Sequence, residues 1–134
     1  MISRTMFMAA VLLSMALAGC GSGMLKTKGR ITKSGAPFTL KQGEDLCIYF
    51  CPVKADGSPG TTVYPAFFNP ADSTFQVTGS DKNGMPAGKY RVWMEHTINK
   101  KDLFKGAYSM TNTPYVFDVD SSTREIEIDL DKKP

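Results

Sequence analysis

One histidine, three cysteines and a C-terminal run of carboxylates are the residues of this 134-residue chain whose types could do chemistry. His96 stands alone, with no Gly-x-Ser-x-Gly turn or other nucleophile signature beside it. It falls on the apolar side of an alternating run, so a packed or edge histidine is expected rather than a general base. Cys47 and Cys51 lie on one strand-like run, about 13 Å apart if extended, against a limit of about 7 Å between Cα atoms of a disulfide. They are not expected to bond each other, and with the single histidine on another strand they make no zinc set. Asp118, Asp120, Glu125, Glu127, Asp129 and Asp131 carry oxygen ligands of the calcium kind but no Asp-x-Asp-x-Asp-Gly loop. Alternation turns most of them to solvent, where charge discourages edge-to-edge pairing. Trp93 and Tyr49 fall on outward faces, where aromatic rings could stack on a sugar. No catalytic residue, metal or cofactor is expected.

The N-terminus carries a different chemistry. Residues 1–5 contain one base, Arg4; residues 6–17 are almost wholly apolar; Ala18 and Gly19 are small. That order is the layout of a secretory signal. Twelve residues are too few to persist as a membrane-spanning helix, which takes about 20. Leu17-Ala18-Gly19-Cys20 resembles the lipobox of bacterial lipoproteins. The resemblance implies diacylglyceryl transfer to the Cys20 thiol, cleavage between Gly19 and Cys20, and acylation of the new amino group. Small residues let the peptidase approach the backbone, and the thiol is the nucleophile for the lipid. Each buried methylene adds about 0.8 kcal/mol, so two or three chains make a firm anchor. Residues 1–19 are thus predicted to be a signal peptide, and 20–27 the lipidated cysteine and a flexible tether containing Gly21, Ser22 and Gly23. The expected location is the cell envelope, on the extracytoplasmic side of a membrane.

The remaining chain must position whatever the protein presents. Without Arg4, 15 basic and 13 acidic side chains remain, too mild an excess for nucleic acid. Twelve glycines and eight prolines, spread along the sequence, suit many tight turns. Ile31 lies in a polar strand over 28–33, followed by the turn residues Ser34-Gly35-Ala36-Pro37. Leu46, Ile48 and Phe50 alternate with Cys47, Tyr49 and Cys51 up to Pro52. Residues 62–68 read as a strand that Pro65 confines to an edge. Phe75 and Val77 share one side of the next strand, and 80–88 reads as a loop. Tyr90, Val92, Met94 and His96 alternate with Lys89, Arg91, Trp93, Glu95 and Thr97. Tyr115, Phe117 and Val119, and later Ile126, Ile128 and Leu130, repeat the pattern. Residues 98–113 lack it, with one helical turn expected around 101–105. About seven short strands, spaced roughly 8 to 12 residues apart, predict an all-β, antiparallel two-layer sandwich over 28–134.

Several segments follow the order seen in a known family. These are Gly29-Arg30-Ile31-Thr32, Gly35-Ala36-Pro37, Ile48-Tyr49-Phe50-Cys51-Pro52, Phe75-Gln76-Val77 and, most specifically, Pro86-Ala87-Gly88-Lys89-Tyr90-Arg91-Val92. The chain resembles carboxypeptidase-regulatory-like, transthyretin-like domains, most closely the short lipoproteins of this type in planctomycete bacteria. The resemblance implies a seven-stranded Greek-key sandwich, a glycine turn before the Tyr-x-Val strand, and an accessory or structural role. It does not extend to the purine-pathway hydrolase on the same fold, because the chain ends Leu130-Asp131-Lys132-Lys133-Pro134 rather than in Tyr-Arg-Gly-Ser. Folds do not carry activities, so function must come from sites.

The expected function is a non-catalytic structural or protein-interaction module held at the membrane by its lipid. The partner is an envelope protein or a cell-wall polysaccharide; the alternative is a carbohydrate- or small-ligand-binding module. Residues 98–113 are the expected recognition surface, since long loops in compact domains are usually functional. Lys100, Lys101 and Lys105 there join Phe104 and Tyr108, a mixture suited to an acidic partner with an apolar patch. The competing expectation is that Phe104 and Tyr108 fold back as a cap on the core.

Overall fold

The computed structural model describes residues 23–132. Cys20 and its lipobox residues Leu17, Ala18 and Gly19 lie outside them. Among the described residues every regular element is a strand, and no helix is long and apolar enough to cross a membrane. In chain order the strands are β1 (Met24–Leu25), β2 (Lys28–Lys33), β3 (Ala36–Pro37), β4 (Glu44–Pro52), β5 (Tyr64–Asn69) and β6 (Thr74–Val77). Then follow β7 (Met85–Pro86), β8 (Gly88–Ile98), β9 (Lys101–Asp102), β10 (Val116–Val119) and β11 (Ile126–Asp129).

Hydrogen bonding orders the main sheet β10-β8-β4-β5-β6-β2-β11, with β3 on β2 and β9 on β8. Every pairing between these strands is antiparallel except β2 with β11, which is parallel. Alternation dictates the two faces. Leu46, Ile48 and Phe50 of β4 and Tyr90, Val92 and Met94 of β8 turn inward and are buried. Ile31, Phe75, Val77, Ile126 and Ile128 do the same from the other half of the sheet and join the same core. The halves touch where the Phe50 and Phe75 rings pack with centroids 5.9 Å apart. Each such buried side chain contributes about 1.5–3 kcal/mol of transfer free energy.

β5 corrects the edge placement expected from Pro65. Tyr64, Pro65 and Ala66 pair with β4, and residues from Ala66 to Asn69 pair with β6, so the strand is interior. Proline is tolerated because the ladder to β4 is short and the strand changes partner there. Its carbonyl instead accepts the Thr78 and Gly79 N–H groups, both at 3.1 Å.

The other differences are at turns. The glycine constraint before β8 falls on Gly84 rather than Gly88: Gly84 has φ 95°, and a Cβ there would stand 2.1 Å from the Leu25 carbonyl oxygen. That close approach seats β1 on β7, within the segment read as a loop, and buries Met85 completely. Residues 101–105 form no helical turn. Lys101 and Asp102 extend as β9, and Lys105 and Gly106 have φ 53° and 79°, which a right-handed helix forbids.

Candidate functional site

The sheet's length gives the molecule two poles. β8 spans 11 residues, so its ends stand about 33 Å apart. Met24–Leu25 pairs with Met85–Pro86 next to the start of β8. At the other end Ile98 pairs with Lys101 across a two-residue turn, Asn99 and Lys100, with φ 50° and 65°. Positive φ at both positions is the hairpin turn whose twist matches the strands. Ser34 and Gly35, with φ 53° and 74°, make the equivalent turn between β2 and β3.

His96 lies at this second pole. Its Nε2 is 2.8 Å from Glu44 Oε2, a cross-strand pair that is nearly buried. Phe38 and Phe104 meet the imidazole edge-on, with centroids 5.3 and 5.2 Å away. The Lys41 backbone N–H and then the His96 side chain hold the Glu44 carboxyl below its ordinary range. A cleft of about 540 Å³ opens above the pair, lined also by Lys33, Ser34 and Lys41. A histidine, a carboxylate and a serine on one cleft invite a hydrolase reading, but among the described residues no hydrogen bond joins the Ser34 hydroxyl to His96. The strained φ of Ser34 is accounted for by its hairpin turn. The pair is a polar cross-link between β4 and β8.

The segment 98–113 is organised by one carboxylate. Asp102 Oδ1 accepts the His96 and Phe104 N–H groups at 3.2 and 3.0 Å, and its Oδ2 accepts that of Gly106 at 2.9 Å. This holds Phe104 against Tyr108, edge-on at 4.8 Å. Tyr108 is buried and donates its hydroxyl to the Leu130 carbonyl at 2.6 Å, while the Tyr115 hydroxyl bonds that of Asp129. Of the five residues expected on a recognition surface, Phe104 and Tyr108 are thus cap residues of the core. Lys100, Lys101 and Lys105 are exposed, as is Leu103.

Trp93 and Tyr49 face outward as expected, yet they occupy each other. They are a cross-strand pair with rings stacked at 4.1 Å and 22°, both half-buried, and the indole N–H is buried without an acceptor. Cys47 and Cys51 are free thiols on the same side of β4, and burial pushes both up, which disfavours the reactive thiolate. The acidic residues of β10, β11 and the connection between them are exposed. Among them, Glu125 pairs with Arg30, and Asp120 accepts the N–H and hydroxyl of Ser122 within its own turn. No group of three or more metal-ligating side chains occurs among the described residues.

Sequence reasoning missed Glu44, Asp102 and Phe67. Glu44 and Asp102 read as ordinary strand-end charges, because their partners come from other elements or from backbone N–H groups. Phe67 reads as one more strand aromatic, yet it is 66% exposed. Comparison with protein families, characterised proteins and solved structures finds no match for the chain.

Proposed function

We propose that this protein is an envelope lipoprotein: a non-catalytic module anchored by lipid on Cys20 and presenting its far pole to an envelope partner. In this reading the sheet closes as a seven-stranded Greek-key β-sandwich of the transthyretin-like kind. The signal-like N-terminus and the Leu17-Ala18-Gly19-Cys20 motif support the anchor. The observation that carries the display role is the polarity of β8. The first described residues are tied beside its start, and Lys100, Lys101, Leu103 and Lys105 cluster at its end, about 33 Å away. Met24 and Leu25 pair with β7 and Thr27 is buried, so the tether expected over 20–27 is cut to 20–23, which would hold the first pole at the membrane and project the second outward.

The cationic pole suits an acidic protein surface. Glu44 is engaged by His96 and Asp102 by backbone, and Lys100, Lys101 and Lys105 make no ion pair among the described residues, which leaves their charge to a partner. Detergent-phase separation of cells expressing wild type and Cys20→Ser tests the anchor. Wild type should enter the detergent phase and incorporate labelled fatty acid, and Cys20→Ser should do neither. Wild type in the aqueous phase would contradict the proposal. A triple Lys→Glu change at 100, 101 and 105 should remove cross-linked envelope partners without altering the melt.

A further inference from the structure

We propose a second binding site, on the outward face of β5, β6, β2 and β11, that takes a neutral pyranose unit of a polysaccharide. Phe67 is its platform. Alternation places Phe68 in the core and leaves Phe67 outward, where its ring lines a groove of about 410 Å³. Two cross-strand rows make the floor. Phe67 lies opposite Gln76, which lies opposite Lys28; Asn69 lies opposite Thr74, which lies opposite Arg30. Neighbouring strands are about 4.8 Å apart, so one sugar ring resting on Phe67 puts its hydroxyl edge over Gln76 and the second row.

The chemistry fits a sugar better than a protein or an anion. A pyranose has an apolar C–H face and a rim of hydroxyls, and here one open aromatic ring is followed along β5 and across β6 and β2 by polar side chains, Asn69, Gln76, Thr74 and Lys28. Among the described residues the Gln76 amide makes no hydrogen bond, and the Asn69 oxygen alone is used, accepting from Ala71. Both residues line the groove. A protein-binding core would be a broad exposed apolar patch, yet on the β4 side of Phe67 the outward Pro65, Cys47 and stacked Tyr49–Trp93 pair are half-buried, and Leu103 and Val116, the other exposed large hydrophobic residues described, lie beside β9 and on β10. An anion would need spare cations. Arg30 is paired with Glu125 and stands opposite Glu127, so Lys28 and Arg30 are offset by two carboxylates. This inference is independent of the lipid anchor, since the face belongs to the folded domain.

The test is retention of the full chain, solubilised in detergent, on an array of neutral and uronate-bearing glycans. Wild type should be retained on neutral glycans. Phe67→Ala should weaken retention about tenfold at unchanged Tm, Gln76→Ala should weaken it severalfold, and Trp93→Ala should leave it unchanged. No retention on any neutral glycan, retention confined to uronate-bearing glycans, or equal retention by wild type and Phe67→Ala would each overturn the assignment.

Discussion

Residues 98–113 are irregular and rich in lysine, whereas β5 is six residues of ordinary strand; their aromatic side chains nevertheless have opposite fates. In the irregular segment one carboxylate, Asp102, gathers three backbone N–H groups and turns Phe104 and Tyr108 onto the core. In the strand, the pleat sends Phe67 outward and no neighbouring element covers it. Irregular backbone must satisfy its own hydrogen bonds, and doing so folded the aromatic residues inward. Regular backbone is already satisfied, which leaves a side chain free to stay exposed at little cost in structure.

The largest expected effect that would break this comparison is the loss of the cap. Phe104→Ser with Tyr108→Ser removes two aromatic contacts and strands the Leu130 carbonyl. We expect a loss of about 3–5 kcal/mol, lowering Tm by more than about 10 °C in thermal denaturation followed by circular dichroism. An unchanged melt would return both residues to the surface. Asp102→Ala should cost about 2 kcal/mol in urea denaturation, because three N–H groups lose a charged acceptor together. Asp102→Asn, which keeps only part of that capacity, should fall between it and wild type.

A smaller effect sharpens the role of the His96 pair. The folded protein holds Glu44 below its ordinary range, so the charged carboxylate contributes its full stabilisation above that range. That contribution is lost as pH falls through the folded-state value. The stability advantage of wild type over Glu44→Gln should therefore shrink on acidification below the ordinary glutamate range, as read from urea midpoints across pH. An advantage that survives undiminished well below the ordinary glutamate range would contradict the assigned pair. The smallest effect is expected at Phe67. Phe67→Ala should change stability by less than about 0.5 kcal/mol, since its ring is mostly in water.

Much of the fold was legible before the structure because burial follows a period of two. The inward sets Leu46-Ile48-Phe50, Tyr90-Val92-Met94 and Ile126-Ile128-Leu130 are all buried as alternation requires. What alternation cannot convey is which strand lies beside which. Pro65 signalled an edge because a local rule cannot see a strand that changes partners, and the parallel pairing of β2 with β11 left no local mark. The candidate sites were harder to read for the same reason. Tyr49 and Trp93 each read as an open platform until the register set them opposite one another. Phe67 gave no signal at all, because adjacent Phe67 and Phe68 look alike in sequence and only the pleat separates them.

The proposed function depends on where the mature chain begins and what it carries. The most direct measurement is the intact mass of the protein purified from bacterial membranes, with fragmentation of its N-terminal peptide. We expect a chain starting at Cys20 with a diacylglyceryl group on its thiol. A mature protein that begins elsewhere, or one with Cys20 unmodified, would contradict the account.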